Sequence, residues 1–521
     1  MKKFSKLFFI LTVLFGLTTL ITFRLQAQPQ APTYQAHLNT ASGCYERLFV
    51  GDEIERTVPA AEIISALNDG ACVVISHGTI AGVVDFTSIA PTPPTHQRKI
   101  VSMIRITDSE LVGIKAGALG DTVQTVFIDL IDFSGSHIKG DAEFVNVIFD
   151  SSVNFQSALF SGTAALNGAR FESSATFAKA QFEQLTFFFT TYFADDVSFN
   201  EAQFDGTVRL FSVVFKKSVN FSDVTFGSTI DMSNSTYEDK ANFVNAHFVR
   251  GAVAKNIEFN GPARFEGVRI DDTMDFSTTR FNQSATFNRS ILSGVRFFNV
   301  RFAQGADFTS ARFTTDTSFN SALFGALTFF ANATFEQVVL FSNTIFLGDA
   351  LFANAKFMGD ADFNSARFSA NLGPDFADAH FEKTLNLEGV ASAGALRLTW
   401  EQTKGKLNPE TVQVLSLLEK SFQELRQGED AVAACEAQTK LQQDDSQVGL
   451  ARCALLGATL GVVPKLSESL NNKKDETKAN KPVTPKTEKT EKKKVVIGGL
   501  VPIIVLVVGI ALLVLFGGGK P

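Results

Sequence analysis

Histidines, the side chains that most often act as general bases or metal ligands, lie far apart in this chain of 521 residues. They occupy positions 37, 77, 96, 137, 247 and 380, without a second histidine one helical turn away and without a neighbouring cysteine. The sequence also lacks a nucleophile-elbow motif, a phosphate-binding loop and a dinucleotide fingerprint. It therefore predicts no catalytic residue, no metal ligand and no cofactor.

Two pairs of adjacent carboxylates come closest to a hydrolytic site, namely Asp195 with Asp196 and Asp271 with Asp272. Glycosidases use two such acids on either side of the bond that is cleaved. Both pairs, however, fall where a repeated pattern of short apolar segments turns, and aspartate is a common turn residue. We interpret them as turn residues, and a β-helical enzyme that acts on glycans stays an alternative.

Basic residues recur at one slot of the same pattern, directly before a large apolar residue. Arg170 shares this slot with the five residues of a candidate surface row: Arg280, Arg301, Arg312, Lys356 and Arg367. Because alternate units of the repeat stack, these residues would form sparse basic rows that bind a polyanion. Residues 132–390 nevertheless contain 19 basic and 29 acidic side chains, a net charge of −10, which favours a solvated face of mixed charge.

A rhythm of phenylalanines sets the positions of all these residues. The stretch "ADFTSARFTTDTSFNSALF" has phenylalanine at 308, 313, 319 and 324, and 43 of the 53 phenylalanines lie between Phe133 and Phe381. A small residue two positions earlier, such as Ala306, points to the same side of an extended backbone. Four steps of five, six, five and six residues close a coil of 22, so the period predicts a solenoid of stacked coils.

The repeats "ADFTSARF", "ANFVNAHF" and "ADFNSARF" resemble those of the pentapeptide-repeat family. The resemblance covers residues 132–390, about half of the chain, and implies an all-β solenoid, a right-handed quadrilateral β-helix. This chain departs from the strict five-residue period by one extra residue in every second unit. The register slips between Leu292 and Phe297 and between Phe368 and Phe376, where Gly373 indicates a small loop.

Different patterns flank the repeats. Residues 28–131 are expected to form an N-terminal region and an irregular β cap, and residues 391–470 an α-helical region that covers the last coil. In the second region Asn408 is the expected N-cap of a helix whose apolar face contains Leu415, Leu418, Phe422 and Leu425. A second helix from about 429 to 443 would complete a hairpin, which resembles the tail of membrane-linked members of the family.

Both ends of the chain predict a membrane location. Residues 1–27 have the pattern of an export signal, either cleaved or kept as an anchor. Residues 471–494 form a lysine-rich tether, residues 495–516 contain no charge and are long enough for a transmembrane helix, and residues 517–521 are a tail. The lysines favour a cytoplasmic position for the tether, but long exported domains largely override this tendency. We expect a single-pass protein of the cell membrane with its repeats outside the cytoplasm.

The four cysteines fall into two local pairs on either side of the repeats, and neither pair has the spacing of a metal site. Outside the cytoplasm, Cys44 with Cys72 and Cys435 with Cys453 are the expected disulfides. Four buried free thiols are the alternative.

These features together predict a non-catalytic, membrane-tethered scaffold that presents a rigid β-helix to a protein or an envelope polymer. Its faces should be flat, so binding would depend on surface rows, on the two register slips or on the capped ends. No small-molecule or nucleic-acid partner is expected. As an alternative, the resemblance implies a DNA-mimicking protein that binds gyrase, if the acidic repeats lie in the cytoplasm.

Overall fold

The protein was analysed as a computed structural model that describes residues 36–39, 44–47, 57–442 and 447–462. The chain divides into two compact units, Met1–Asp275 and Phe276–Pro521. Each unit contains a parallel β-solenoid with four ladders of short strands. Each ladder forms one face, and we number the faces so that the chain passes from face 1 to face 4 in every coil. The export signal, the tether and the predicted transmembrane segment lie outside the described residues. Within those residues, no helix has the length and apolar character needed to span a bilayer.

In the first unit the strands of each ladder pair in parallel, one coil apart. Face 1 contains Val73–Ser76, Ile104–Thr107, Ile131–Asp132, Val153–Asn154, Ala175–Thr176, Val197–Ser198, Val219–Asn220, Ala241–Asn242 and Ala263–Arg264. Face 2 contains His137–Ile138, Leu159–Phe160, Gln181–Phe182, Gln203–Phe204, Thr225–Phe226, His247–Phe248 and Arg269–Ile270. Face 3 contains Ala142–Phe144, Ala164–Ala165, Thr186–Phe187, Val208–Arg209, Ile230–Asp231, Ala252–Val253 and Met274–Asp275. Face 4 contains Arg98–Ile100, Thr125–Phe127, Ile148–Phe149, Arg170–Phe171, Tyr192–Phe193, Val214–Phe215, Thr236–Tyr237 and Glu258–Phe259.

The second unit has four ladders of the same kind. Face 1 contains Ala285–Thr286, Ala306–Asp307, Thr328–Phe329 and Ala350–Leu351. Face 2 contains Ile291–Leu292, Arg312–Phe313, Thr334–Phe335, Lys356–Phe357 and His380–Phe381. Face 3 contains Val295–Arg296, Thr317–Ser318, Val339–Leu340, Ala361–Asp362 and Leu385–Asn386. Face 4 contains Arg280–Phe281, Arg301–Phe302, Leu323–Phe324, Ile345–Phe346, Arg367–Phe368 and Ala391–Ser392.

Stacked phenylalanine rings fill the interior of the coils, as the rhythm predicts. Phe308 stacks on Phe330 with ring centroids 4.9 Å apart and planes 4° from parallel, and Phe330 stacks on Phe352 with the same centroid separation. Within a coil the rings meet edge to face, as Phe308 and Phe319 do at 5.4 Å and 79°. Both arrangements are favourable for aromatic pairs. The prediction of a solenoid with inward phenylalanines is confirmed.

The alternation of five and six residues has a backbone cause that the sequence reasoning did not identify. A residue with positive φ recurs every eleven residues, as at Asn332, Asn343 and Asn354, where φ is 58°, 56° and 58°. These residues lie at the corners from face 1 to face 2 and from face 3 to face 4. Each of these corners lies within a five-residue step, such as that from Phe330 to Phe335, whereas a six-residue step such as that from Phe335 to Phe341 turns without a positive φ. Asparagine, glycine and serine are frequent at these corners. Asparagine and glycine tolerate the left-handed backbone region better than most other residues.

The two register slips appear as coils of unusual length. The first lies at Gly294, whose φ is 54°, where the corner between faces 2 and 3 lacks one residue. The second adds two residues to the coil that ends at face 4, since Arg367 pairs with Ala391. The added residues form a loop at Gly373 in which Leu372 is exposed. After this loop, Asp375 pairs with Leu351 through an isolated β-bridge where the other coils have a strand.

Irregular strands and one helix cap the first unit. Helix α1 (Ala60–Asn68) follows the strand Thr57–Pro59, and a 3₁₀ turn, Phe86–Ser88, follows the long strand Thr79–Asp85. The strand Glu110–Gly117 pairs with both face 2 and face 3, and an antiparallel pair, Ala36–Asn39 with Cys44–Arg47, precedes the cap. The strand Arg98–Ile100 begins face 4. The cap therefore gives the first regular coil a partner for its backbone groups.

Within the described residues, four helices follow the last coil: α2 (Trp400–Thr403), α3 (Val412–Glu424), α4 (Gly428–Leu441) and α5 (Gln447–Thr459). Leu415, Leu418 and Phe422 are buried on α3, as their spacing predicts, whereas Leu425 is the half-buried C-cap residue that ends the helix. The predicted cap at Asn408 is wrong, because the Thr411 side chain accepts the hydrogen bond from the backbone N–H of Val414. Ser421 Oγ accepts a hydrogen bond from the backbone N–H of Leu396, which attaches α3 to the end of the solenoid.

The structure joins Cys435 of α4 to Cys453 of α5 in a disulfide, the pairing that the sequence favours. Cys72 is also disulfide-bonded, whereas the side chain of Cys44 lies outside the described part of the chain.

One tyrosine replaces a stacked phenylalanine in the first unit and suggests a stabilising substitution. The Tyr237 ring is buried between Phe215 and Phe259, and its hydroxyl has no hydrogen-bond partner among the described residues. Burial raises the pKa of this hydroxyl. We expect Tyr237→Phe to increase the free energy of unfolding by about 1 to 2 kcal/mol, because an unsatisfied buried group is removed. Chemical denaturation measures this, and Tyr192→Phe, on the surface, should change little.

Candidate binding surfaces

The histidines of the repeats all lie on face 2 of their unit and point outward. The His137 ring is 2.9 Å from Ser161 Oγ, the His247 ring is 2.8 Å from Asp271 Oδ2, and His380 is exposed. Within the described ranges, no three His, Cys, Asp or Glu side chains group closely enough to hold a metal ion. These positions suit solvated side chains.

Three of the paired carboxylates, Asp195, Asp196 and Asp271, accept hydrogen bonds at corners of the coils. Asp195 Oδ1 accepts a hydrogen bond from the backbone N–H of Asp196 at 2.9 Å, and Asp196 Oδ1 accepts one from the N–H of Ser218 at 3.0 Å. Asp271 accepts hydrogen bonds from His247 and Arg269. Hydrogen bonds of this kind order a turn. They do not prepare a general acid.

Because several carboxylates accept hydrogen bonds in the folded chain, we expect the fold to lose stability in acid. Hydrogen bonds from the Thr384 hydroxyl and N–H lower the pKa of Asp360. Partial burial works to raise the pKa of Asp271, but hydrogen bonds from His247 and Arg269 outweigh it and keep the pKa below its usual range. A depressed folded-state pKa stabilises the fold above the unfolded pKa of about 4, and that contribution is lost as pH falls through the folded value.

We therefore expect the thermal midpoint of the chain to decrease as the pH is lowered from about 6 to about 3, the range in which carboxylates titrate. Asp360→Asn should reduce this fall, because the amide cannot titrate. Scanning calorimetry across this range measures it. A profile of the variant that is parallel to that of the parent chain would contradict the assignment.

The candidate basic row is split between two faces of the second unit. Arg280, Arg301 and Arg367 lie on face 4, whereas Arg312 and Lys356 lie on face 2. The split arises because the slot recurs every eleven residues, whereas a coil needs 22. Within face 4, Leu323 and Ile345 separate Arg301 from Arg367, and on face 2 Arg312 contacts Glu336. The candidate residues therefore form two sparse rows on different faces, not a single row.

Face 1 of the first unit carries a shallow groove of about 640 Å³. Small polar side chains line it along five coils, and side chains of neighbouring coils form hydrogen bonds with one another. The Ser152 and Ser174 hydroxyls are 3.1 Å apart, and Asn242 Nδ2 donates to Asn220 Oδ1 at 2.8 Å. The groove is a polar and open surface, not a pocket that encloses a reactive group.

A second cleft, of about 510 Å³, lies in the second unit between the last coils and the helical cap. Gln402 crosses its base, where Nε2 donates to the carbonyls of Phe376 and Ala379. Arg397 on its wall lies 3.4 Å from Asp375, and His380 is exposed beside it. The cleft lies at a capped end, one of the places where the sequence predicts a groove. Its charged groups are solvent-accessible.

Buried charges occur away from the coils. Among the described residues, Arg98 and Glu419 are the charged side chains that are buried. Arg98 donates to the Ile89 carbonyl and the Thr125 hydroxyl in the N-terminal cap, and Glu419 of α3 lies 3.3 Å from Arg452 of α5. Both groups have structural partners, which is the usual condition for a buried charge.

An aromatic patch interrupts the polar outer surface of face 3 in the first unit. We define it as Leu185, Phe187, Phe189 and Phe211. Leu185 and Phe189 are each 45% exposed, and Phe187 and Phe211 are half-buried. The Phe189 and Phe211 rings stack with centroids 5.6 Å apart. Arg209 lies next to Phe187 in the ladder, so the patch joins aromatic rings to a guanidinium group.

Sequence reasoning missed this patch, although the chain contains a signal for it. The stretch "QLTFFFTTYF" places apolar residues in the outward positions 185, 187 and 189, which are polar in most other coils. The eleven-residue pattern describes only the inward positions of the repeat, so it does not distinguish these outward phenylalanines from the inward ones. Outward aromatic side chains in a repeat are a departure that needs its own explanation.

Comparison with known proteins supports the reading of the repeats. A family model described as pentapeptide repeats, in nine copies, matches residues 123–170 and 341–391. No curated protein and no solved structure matches the chain.

Proposed function

Because this chain is built from pentapeptide repeats of a phenylalanine-rich kind, we propose that it is a non-catalytic scaffold, tethered to a membrane, whose faces bind a protein or an envelope polymer. The aromatic patch is the observation that carries the proposal. Its rings lie on a rigid ladder, and they are exposed where the repeat normally places polar side chains.

The composition of the patch suits a protein partner better than a polymer of charged units. Phenylalanine and arginine are enriched at protein interfaces, and binding energy concentrates on a few large side chains in a central cluster. Arg209 lies 3.7 Å from Asp231, so its charge is already shared, and the patch offers mainly apolar area. A ladder that is fixed before binding also loses little conformational entropy when the partner binds.

The tether and the location are supported by the sequence. The apolar segment 495–516 has the length of a bilayer span, and residues 1–27 have the pattern of an export signal. We propose that residues 28–494 lie outside the cytoplasm. Protease added to intact spheroplasts should then remove the repeats, and complete protection would contradict this location.

The partner is best sought by photo-crosslinking from the patch in intact membranes. A photoreactive amino acid at position 185 should capture a defined protein, and the additional changes Phe189→Ser/Phe211→Ser should reduce recovery of that protein by at least about tenfold. Phe298→Ser is the matched control, since Phe298 is an exposed phenylalanine of the second unit, outside the patch.

Two results would refute the proposal. If the patch variant and the Phe298 control recovered the same proteins in the same amounts, the patch would not be the binding surface. If the purified chain cleaved a glycan, the chain would be an enzyme, and the carboxylates described above would become its candidate acids.

A gyrase-binding DNA mimic fits this surface less well. DNA presents a regular series of unneutralised negative charges. Here several carboxylates pair with bases from neighbouring coils, as in Lys216 with Glu238 at 3.3 Å and Lys179 with Glu201 at 3.6 Å. A reporter fusion that placed the repeats in the cytoplasm, with inhibition of gyrase supercoiling by the purified chain, would favour this alternative.

A further inference from the structure

An apolar corner patch lies on the second unit where face 4 meets face 1. We define it as Leu323, Ile345, Leu347, Leu327, Phe329 and Leu351. Leu327 is 41% and Leu347 is 51% exposed at the corner, and the other four side chains are half-buried on the two faces. Two successive coils thus present apolar side chains at neighbouring outward positions, which marks a candidate interaction site.

The charged residues around this patch have a regular arrangement. On face 4 the outward ladder reads Arg301, Leu323, Ile345, Arg367. On face 1 it reads Asp307, Phe329, Leu351, Asp375. The two ladders are therefore matched coil by coil: arginine with aspartate at each end, and apolar side chains with apolar side chains between them.

Two arginines on face 4 carry charges that no neighbouring side chain of the described residues neutralises. Within the described residues, neither Arg301 nor Arg367 makes an ion pair or a side-chain hydrogen bond. On the other face, Asp307 Oδ1 accepts only a local hydrogen bond from the N–H of Thr309, and Asp375 lies 3.4 Å from the partly exposed Arg397. A surface with the opposite charge order would satisfy the two arginines without burying an unpaired charge.

We propose that this surface binds a second copy of the chain, with face 4 of one copy packed on face 1 of the next. Arg301 then meets Asp307 of the next copy, Arg367 meets Asp375, and the leucine and isoleucine side chains cover Phe329 and Leu351. The paired residues belong to the same coils, so the copies lie side by side with parallel axes and without an axial shift.

The geometry of the coil fixes the number of copies. Four strands close each coil, so neighbouring faces meet at about a right angle, and each contact rotates the next copy by a quarter turn. A head-to-tail contact that turns in this way closes into a ring. Four copies complete the turn, with Leu327 and Leu347 of every copy around the central axis. A single contact is small beside a standard interface of about 1,600 Å², so the ring should form in a concentration-dependent way.

Charge exchange tests the contact in the full-length chain, extracted in mild detergent and analysed by sedimentation. The parent chain should reach a tetramer. Arg301→Asp and Asp307→Arg should each raise the concentration needed for assembly by at least about tenfold, and the double variant should restore assembly because the pair is exchanged in every contact. Lys356→Asp, on face 2, is the matched control and should assemble like the parent chain.

Cysteine crosslinking provides a second measurement that does not depend on the charges. Leu323→Cys combined with Phe329→Cys should give covalent species of up to four chains under mild oxidation, whereas each single variant should stay uncrosslinked. A chain that is monomeric at all concentrations, a dimer crosslinked by either single cysteine, or a double charge variant no better than the single ones would each overturn the proposal.

Discussion

Phe313→Ala is expected to lower the free energy of unfolding by about 3 to 5 kcal/mol. The ring is fully buried on face 2 of the second unit and stacks on Phe335 with centroids 4.6 Å apart and planes at 9°. It also meets Phe308 at 6.0 Å and Phe319 at 5.9 Å. The alanine variant loses these contacts and leaves a cavity, because the backbone ladders hold the neighbouring coils at a fixed spacing. Denaturant titration of the chain measures the loss.

The neighbouring residue provides the control for this experiment. Arg312 points outward, its side chain is 57% exposed, and it pairs with Glu336. Exposed ion pairs contribute little, so Arg312→Ala should cost well under about 1 kcal/mol. Equal losses at positions 312 and 313 would contradict the inward and outward assignment on which the described surfaces depend.

Loss of the disulfide between Cys435 and Cys453 is expected to destabilise the helical cap by about 3 kcal/mol, the value typical of a loop of about 15 residues. The two cysteines are separated by 18 positions, and both are buried between α4 and α5. In Cys435→Ala/Cys453→Ala, α5 should exchange its backbone amides faster. Helix α3, held to the solenoid through Ser421, should change less. Hydrogen exchange measured along the chain separates the two helices.

The same pair reports on the compartment in which the chain resides. Disulfides persist outside the cytoplasm and are rare within it. Because both cysteines are buried, cells are quenched with acid and the protein is denatured before alkylation. Mass spectrometry should then find Cys435 and Cys453 unmodified until a reductant is added. Complete modification without reductant would contradict the proposed location, whereas the stability prediction for the purified oxidised chain would still hold.

The interior of the solenoid was predictable because one side chain repeats at one spacing. Phe308 and Phe330 need only be recognised as equivalent positions of successive coils for their stacking to follow. The outer surface was less predictable, since the same eleven-residue pattern recurs on two faces. Arg301 and Arg312 share a sequence slot but belong to faces 4 and 2, and only the full coil of 22 residues separates them.

The helical cap was predictable in its existence and not in its boundary. Leu415, Leu418 and Phe422 indicate the buried face of α3, but both Asn408 and Thr411 are good N-cap residues, and the sequence gives no means of choosing between them. The aromatic patch and the apolar corner patch were missed for another reason. Both consist of ordinary apolar residues, and they become distinctive only when each is assigned to an outward position.

The positive-φ corners, which recur every eleven residues, bear on how such a chain can evolve. Eleven residues contain one corner of each kind and therefore make half a coil. A tandem duplication of that length would preserve every inward phenylalanine and every left-handed corner, but it would transfer all later outward side chains to the opposite face. A duplication of a whole coil would lengthen the solenoid and keep its faces in place. Half-coil duplications thus offer a single genetic step that leaves the interior unchanged and gives selection a new arrangement of the surface.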